Sequence, residues 1–197
     1  MIRNATIKVI GFQPLLQSNP TTVDRFHPIS KRMAAINARK TRRTDEDYLE
    51  LRELEIKAKT YFDEKLGVYV PGSWLIESFG KHSHAMAKIP KAEIRGSMFV
   101  ADKLKLVYSG MDRVKTLEDI VKNDEFHHLM NVKQGQVRVI KACPIFNDWS
   151  FETELEFDDK IVDKTDIDRI FKHAARLGGY GDFRPTFGRA NVEITHG

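Results

Sequence analysis

Cysteine is nearly absent from this sequence: Cys143 stands alone. A single thiol excludes an intramolecular disulfide and argues against a thiolate zinc site. Its neighbours in Val139-Ile140-Lys141-Ala142-Cys143-Pro144-Ile145 are mostly apolar, so we expect it buried and inert. No stretch approaches the roughly 20 apolar residues of a membrane helix. The opening Met1-Ile2-Arg3-Asn4-Ala5-Thr6 lacks the basic segment and apolar run of a secretory signal. These absences lead us to expect a reducing, cytoplasmic compartment and no membrane partner. Charge of one sign is not in large excess either. The net +4 and pI near 9.1 suit an acidic partner without requiring one.

Signatures of catalysis are also missing. There is no Gly-x-Ser-x-Gly elbow and no Walker A sequence. Asp158-Asp159 reads as a turn, and Asp163, Asp166 and Asp168 as residues of a helix start. No enzyme activity, cofactor or metal is expected.

What is present is an ordinary globular balance, 41% hydrophobic and 30% charged, enough for a core in a 197-residue chain. We expect one domain, residues 1–197, with a helical insertion at about 22–66 and a smaller one at about 111–135. Strands are expected over 6–12, 94–98, 103–108, 136–140, 149–157 and 190–194. The 149–157 stretch alternates most cleanly, with Trp149, Phe151, Leu155 and Phe157 against Glu152, Glu154 and Glu156. Thr44-Asp45-Glu46-Asp47 reads as a helix start, and Tyr48, Leu51, Ala58 and Phe62 recur at helical spacing behind it. A second helix enters at Ser73 and fades around Lys88, before Pro90, and another runs from Thr165 to the Gly178-Gly179 pair. The order is β-α-β-β-α-β with insertions. That is an α+β chain on a ferredoxin-like (RRM-type) core with a glycine-rich loop near its C-terminal end.

Two segments carry candidate chemistry. From Lys31 to Arg43 come six basic residues, with no acid between Asp24 and Asp45. Clustered cations such as Arg39, Lys40, Arg42 and Arg43 release counterions on meeting phosphates, which gives affinity without sequence choice. The competing reading is a solvated face balanced by the acidic helix that follows. The unbroken run favours the first.

The second segment is Gly178-Gly179-Tyr180-Gly181-Asp182-Phe183-Arg184-Pro185-Thr186-Phe187-Gly188-Arg189. Gly178, Gly179, Gly181 and Gly188 permit positive φ and close backbone approach to a ligand. Arg184 and Arg189 suit phosphates, and Tyr180 and Phe183 suit bases. A tight helix-to-strand connection whose aromatics cover the core explains the same residues, and the sequence leaves both readings open.

The extended Val68-Tyr69-Val70-Pro71-Gly72-Ser73 entering a helix, together with Gly179, Gly181 and Gly188 before the last strand, resembles the RAMP superfamily. Those are the RRM-like proteins of CRISPR effector complexes. The Gly-Asp-Phe-Arg-Pro form looks like that of small, standalone phage-type relatives. The resemblance implies a non-catalytic protein that grips single-stranded RNA or DNA along a sheet face and the glycine-rich loop. It also implies a homo-oligomer or larger nucleoprotein complex assembled along the strand, although residues 112–135 are short for the thumb of such subunits.

Two alternatives accompany this expectation. His82 or His84 could serve a metal-independent endoribonuclease of the same superfamily, although residues two apart on a helix face different sides. His127-His128 reads as a surface pair, without the ligand cluster of a metal site. The third reading is a protein-interaction module or inhibitor acting on a nucleic-acid-processing complex.

Overall fold

The β-branched opening of the chain forms a ten-residue strand, β1 (Ile2–Gly11), in which Ala5, Ile7 and Val9 are buried. The computed structural model describes residues 1–78, 87–134 and 137–197. The elements that follow are α1 (Pro28–Asn37), α2 (Asp45–Lys59), β2 (Gly67–Pro71), α3 (Ser73–Glu77), α4 (Lys91–Gly96), β3 (Met98–Phe99) and β4 (Lys103–Lys105). Then come α5 (Leu117–Val121), β5 (His127–Gln134), β6 (Val137–Phe146), β7 (Ser150–Asp158), α6 (Lys164–His173) and β8 (Ala190–His196). The chain is mixed α+β with antiparallel pairing. None of the described helices is long and apolar enough to cross a membrane.

The chain divides into two compact units. The first comprises Met1–Leu15, Val68–Ser109 and Phe146–Gly197. The second comprises Leu16–Gly67 and Gly110–Ile145. The second thus takes in both stretches expected as insertions, folded together as a body of their own.

In the first unit the sheet order is β8-β1-β7-β3, each neighbour antiparallel. Strand β7 carries the expected alternation: Phe151, Thr153, Leu155 and Phe157 are buried, and Glu152, Glu154 and Glu156 face water. Helix α6 is capped by Asp163, whose carboxylate accepts from the Asp166 amide at 2.7 Å, and it buries Ile167, Ile170 and Phe171. Strands β2 and β4 pair separately, with Val70 opposite Leu104. Residues 94–98, expected as strand, are mostly helix. Pro90 sets a helical entry, and Lys91-Ala92-Glu93-Ile94-Arg95 are residues that favour helix over strand.

The second unit is organised by α2. Thr44 and Asp47 form a capping box: the Asp47 amide donates to Thr44 Oγ1 at 3.3 Å, and the Thr44 amide to Asp47 Oδ2 at 3.1 Å. The expected stripe holds at Ala58, which is buried, and at Leu51, which is half-buried, but fails at Tyr48, and Phe62 lies beyond the helix. Tyr48 is 53% exposed, and the inward face carries Asp47, Glu55, Ile56 and Ala58. Two carboxylates turn inward because each has partners there. Arg39 pairs with Asp47, and Glu55 accepts from the Ala142 amide at 2.5 Å beside Lys141 at 3.1 Å and Lys59 at 3.6 Å. Charge discounted these residues as core in the sequence, and pairing restores them.

Strand β5, absent from the expected elements, forms an eight-pair hairpin with β6. His127-His128-Leu129-Met130-Asn131 has few β-branched residues, so it takes its conformation from the partner strand. His127 is correspondingly not a surface residue: its side chain is 2% exposed. Its Nε2 lies 3.1 Å from the Ile120 carbonyl, and Arg52 Nε donates to its Nδ1 at 3.0 Å. Cys143 is buried, as its neighbours suggested.

Candidate nucleic-acid interface

The glycine-rich loop begins where α6 loosens into a single π turn, Ala174–Gly178. Gly179, Gly181 and Gly188 all take positive φ, near +75°, and Phe183 does so as well at +52°. What these glycines approach is the loop itself. The Tyr180 amide donates to the Gly188 carbonyl at 2.8 Å, and the Gly188 amide to the Pro14 carbonyl at 2.8 Å. A Cβ on Gly179 would meet the Gly188 carbonyl at 3.0 Å. Gly178 lies less tightly, with the Ser78 carbonyl 3.5 Å from where its Cβ would be.

Tyr180 does not present its ring to a ligand. It is fully buried, edge-on to Trp149 at 6.1 Å and to Phe151 at 5.7 Å between ring centroids. Burial pushes its phenol pKa well up, with the nearby Ser78 hydroxyl acting in the opposite direction. The tyrosine proposed as a stacking surface is therefore the anchor that fixes the loop to the core. Trp149 is held in turn by donation from its indole Nε1 to the Gln13 carbonyl at 2.7 Å.

The loop offers water a different set of groups. Phe183 is 42% exposed, and Arg184 is exposed with Nη1 3.4 Å from the Gly179 carbonyl. Arg189 is half-buried, and its carbonyl accepts from the Phe12 and Gln13 amides at 3.0 and 3.3 Å. That ties the end of β1 to the end of the loop. Phe12 is 48% exposed beneath the Arg176 guanidinium, which sits 5.8 Å from its ring and donates to Asn191 at 3.2 Å. Phe12 and Arg176 were missed in the sequence, since they lie 164 positions apart and only the sheet brings them together. The nearest acid in the loop, Asp182, accepts from the Phe183 amide at 2.9 Å. The cluster thus shows three arginines against one carboxylate.

Among the described residues, two buried polar atoms beside it, Arg189 Nε (a donor) and Gln13 Oε1 (an acceptor), have no hydrogen-bond partner. Leaving such an atom unpaired costs on the order of 1–3 kcal/mol.

The open face of the sheet has the opposite character. Glu152 pairs across from Lys8, Glu154 from Thr6, Glu156 from Asn4, and Glu193 from Lys8 on the other side. Four glutamates against one lysine repel phosphate, and the aromatic ring this face carries is Phe99 of β3, opposite Glu156 and 59% exposed. Contact along the sheet face, which the family resemblance implied, is disfavoured by its charge.

The basic run lies in the second unit and is largely spoken for. Arg39 pairs with the buried Asp47, holding that carboxyl below its usual range together with the Thr44 amide. Arg32 binds Glu50 through two bonds, at 2.5 and 2.6 Å. Arg43 donates to Asn37 and to the Lys40 carbonyl, and its guanidinium lies 5.0 Å from the Tyr48 ring centre. Lys40 and Arg42 are exposed and make no ion pair among the described residues. The balancing role suggested for the acidic helix therefore accounts for Arg32 and Arg39, and leaves Lys40, Arg42 and Arg43 without carboxylate partners.

His82 and His84 fall outside the described residues. Among the described residues, no group of three or more His, Cys, Asp and Glu side chains could hold a metal ion. No protein-family model matches the chain, and no curated protein matches it.

Proposed function

We propose that this chain is a non-catalytic binder of single-stranded nucleic acid, with its contact surface on the loop cluster of the first unit. The observation that carries the reading is the pairing of exposed aromatic rings with guanidinium groups there. Phe183 and Phe12 are the rings, and Arg184, Arg176 and Arg189 the cations. Rings stack on bases of any sequence while guanidiniums neutralise the backbone, which suits an unpaired strand better than a duplex.

The strand order β8-β1-β7-β3 supports a RAMP-like, ferredoxin-type core. In the split βαβ arrangement the last strand also lies beside the first, and the third separates the first from the second. Assembly along a strand and a cytoplasmic setting belong to this reading.

The test is fluorescence anisotropy with labelled single-stranded RNA, single-stranded DNA and duplex at two salt concentrations. Salt-sensitive binding to single strands, weakened and flattened in slope by Arg184→Ala with Arg189→Ala, is expected. Unchanged affinity in that double variant overturns the contact assignment, and no binding at low salt overturns the function. The same RNA left intact in EDTA excludes the metal-independent nuclease alternative.

A further inference from the structure

The second unit holds an open groove of about 1000 Å³. Its base is the flank of α2 from Asp45 to Glu55, with Met33 of α1 on one side and Leu129 and Ile140 of the β5–β6 hairpin on the other. The large apolar side chains here are left in water: Tyr48 is 53%, Leu49 58%, Leu129 50% and Ile140 72% exposed. Apolar surface gathered around one concavity is what interaction sites present, and covering it is worth about 25 cal/mol for each Å².

The chemistry of the walls chooses among occupants. Their apolar residues are aliphatic except for Tyr48, over whose ring the Arg43 guanidinium lies at 5.0 Å, and Asn37, Arg43, Asp45, Arg52, Glu55 and Lys141 complete the lining. A nucleobase finds a single aromatic ring in such a groove, whereas leucine, isoleucine or methionine side chains pack well against its aliphatic residues. Charge selects further. Arg43 lines the groove near Asp45 and makes no ion pair among the described residues, Lys40 and Arg42 are exposed and adjoin it in sequence, and at the other end Glu55 is shared by Lys59 and Lys141. Asp45 and Glu46 are the exposed acids in this stretch, so cations remain in excess.

The geometry points to a docking site for an acidic, amphipathic helix of a protein partner, with aliphatic residues on one face and Asp or Glu on the other. The flank from Asp45 to Glu55 spans about 15 Å at 1.5 Å per residue, the length of roughly three helical turns. Helix-in-groove recognition of this kind reads anchors at i, i+3 or i+4, and i+7. The site is independent of the nucleic-acid reading, whose proposed contacts belong to the first unit.

The experiment uses the full chain and a fluorescein-labelled peptide of about twelve residues, with leucine at i, i+3, i+4 and i+7 and glutamate elsewhere. Saturable anisotropy with Kd at or below about 100 μM is expected, with a Kd at least about tenfold higher when lysine replaces glutamate. Leu129→Asp with Ile140→Asp changes two exposed side chains and should abolish binding at unchanged circular dichroism. Lys40→Glu with Arg42→Glu should weaken it about tenfold at unchanged circular dichroism. Equal binding of the lysine peptide, unchanged binding by the Asp variant, or no saturation at about 1 mM overturns the proposal. So does the finding that the Asp variant loses RNA binding, or a dimer seen in sedimentation velocity, in place of peptide binding. The groove would then belong to nucleic acid or to a second copy.

Discussion

Gly188 closes onto Tyr180. The Tyr180 amide donates to the Gly188 carbonyl at 2.8 Å, and a Cβ built on Gly188, whose φ is +75°, would overlap the Tyr180 carbonyl. Side-chain anchorage and backbone closure are thus two halves of one device. The buried ring holds the loop down, and the glycine allows its returning strand to pass close by.

Gly188→Ala should therefore destabilise the protein by more than the roughly 1–2 kcal/mol that a left-handed φ costs an L residue, because overlap adds to strain. Gly96→Ala is the control, since its φ is ordinary and a Cβ there meets nothing within 4 Å. Urea denaturation should show a marked drop in midpoint for the first and little change for the second.

Phe183→Ala should weaken single-strand binding about 5- to 150-fold, the loss of one base–aromatic stack worth about 1–3 kcal/mol. Tyr180→Phe should leave affinity within about twofold, because the buried ring contacts Trp149 and Phe151 and not the ligand. Anisotropy titrations of both variants against the same oligonucleotide make the comparison, and equal losses would contradict the assignment.

Thr44→Ala removes the side-chain acceptor for the Asp47 amide at the start of α2. A loss of about 0.5–2 kcal/mol is expected, with Thr44→Ser close to wild type. Chemical denaturation at matched pH measures both.

His127 makes stability fall in mild acid. Burial, the largest influence, lowers its pKa below 6.5, with Arg52 adding to the effect and the Ile120 carbonyl opposing it. The unfolded chain therefore binds a proton before the folded one does. The contribution is whole above about pH 6.5 and is lost as pH falls through the folded value. Protonation of Nδ1 would also displace the Arg52 donor. The urea midpoint should fall between roughly pH 7 and pH 5, and His127→Gln should flatten that slope.

Much of this architecture was legible in local pattern. Strand β7 could be read from alternation because one face of its sheet is buried and the other wet, which imposes period two on the residues. The start of α2 could be read because Thr44 and Asp47 act over three residues, and so could the buried state of Cys143 from its neighbours. The positive φ of Gly179, Gly181 and Gly188 was likewise a property of residue type.

The rest was settled by partners remote in sequence. Nothing in residues 45–59 says that Asp47 and Glu55 turn inward, because their compensating groups are Arg39, Lys141 and the Ala142 amide. Strand β5 exists through pairing with β6. Phe12 joins Arg176 only because β1 lies next to β8 in the sheet. Tyr180 could be read equally as a stacking surface or as a core anchor until Trp149 and Phe151 were found against it. Local residue chemistry determined which segments could cap, alternate or turn; tertiary packing decided which polar groups were buried and which rings met water. The reason is physical: burial and charge compensation are properties of pairs, and most of the decisive pairs here are distant in the chain.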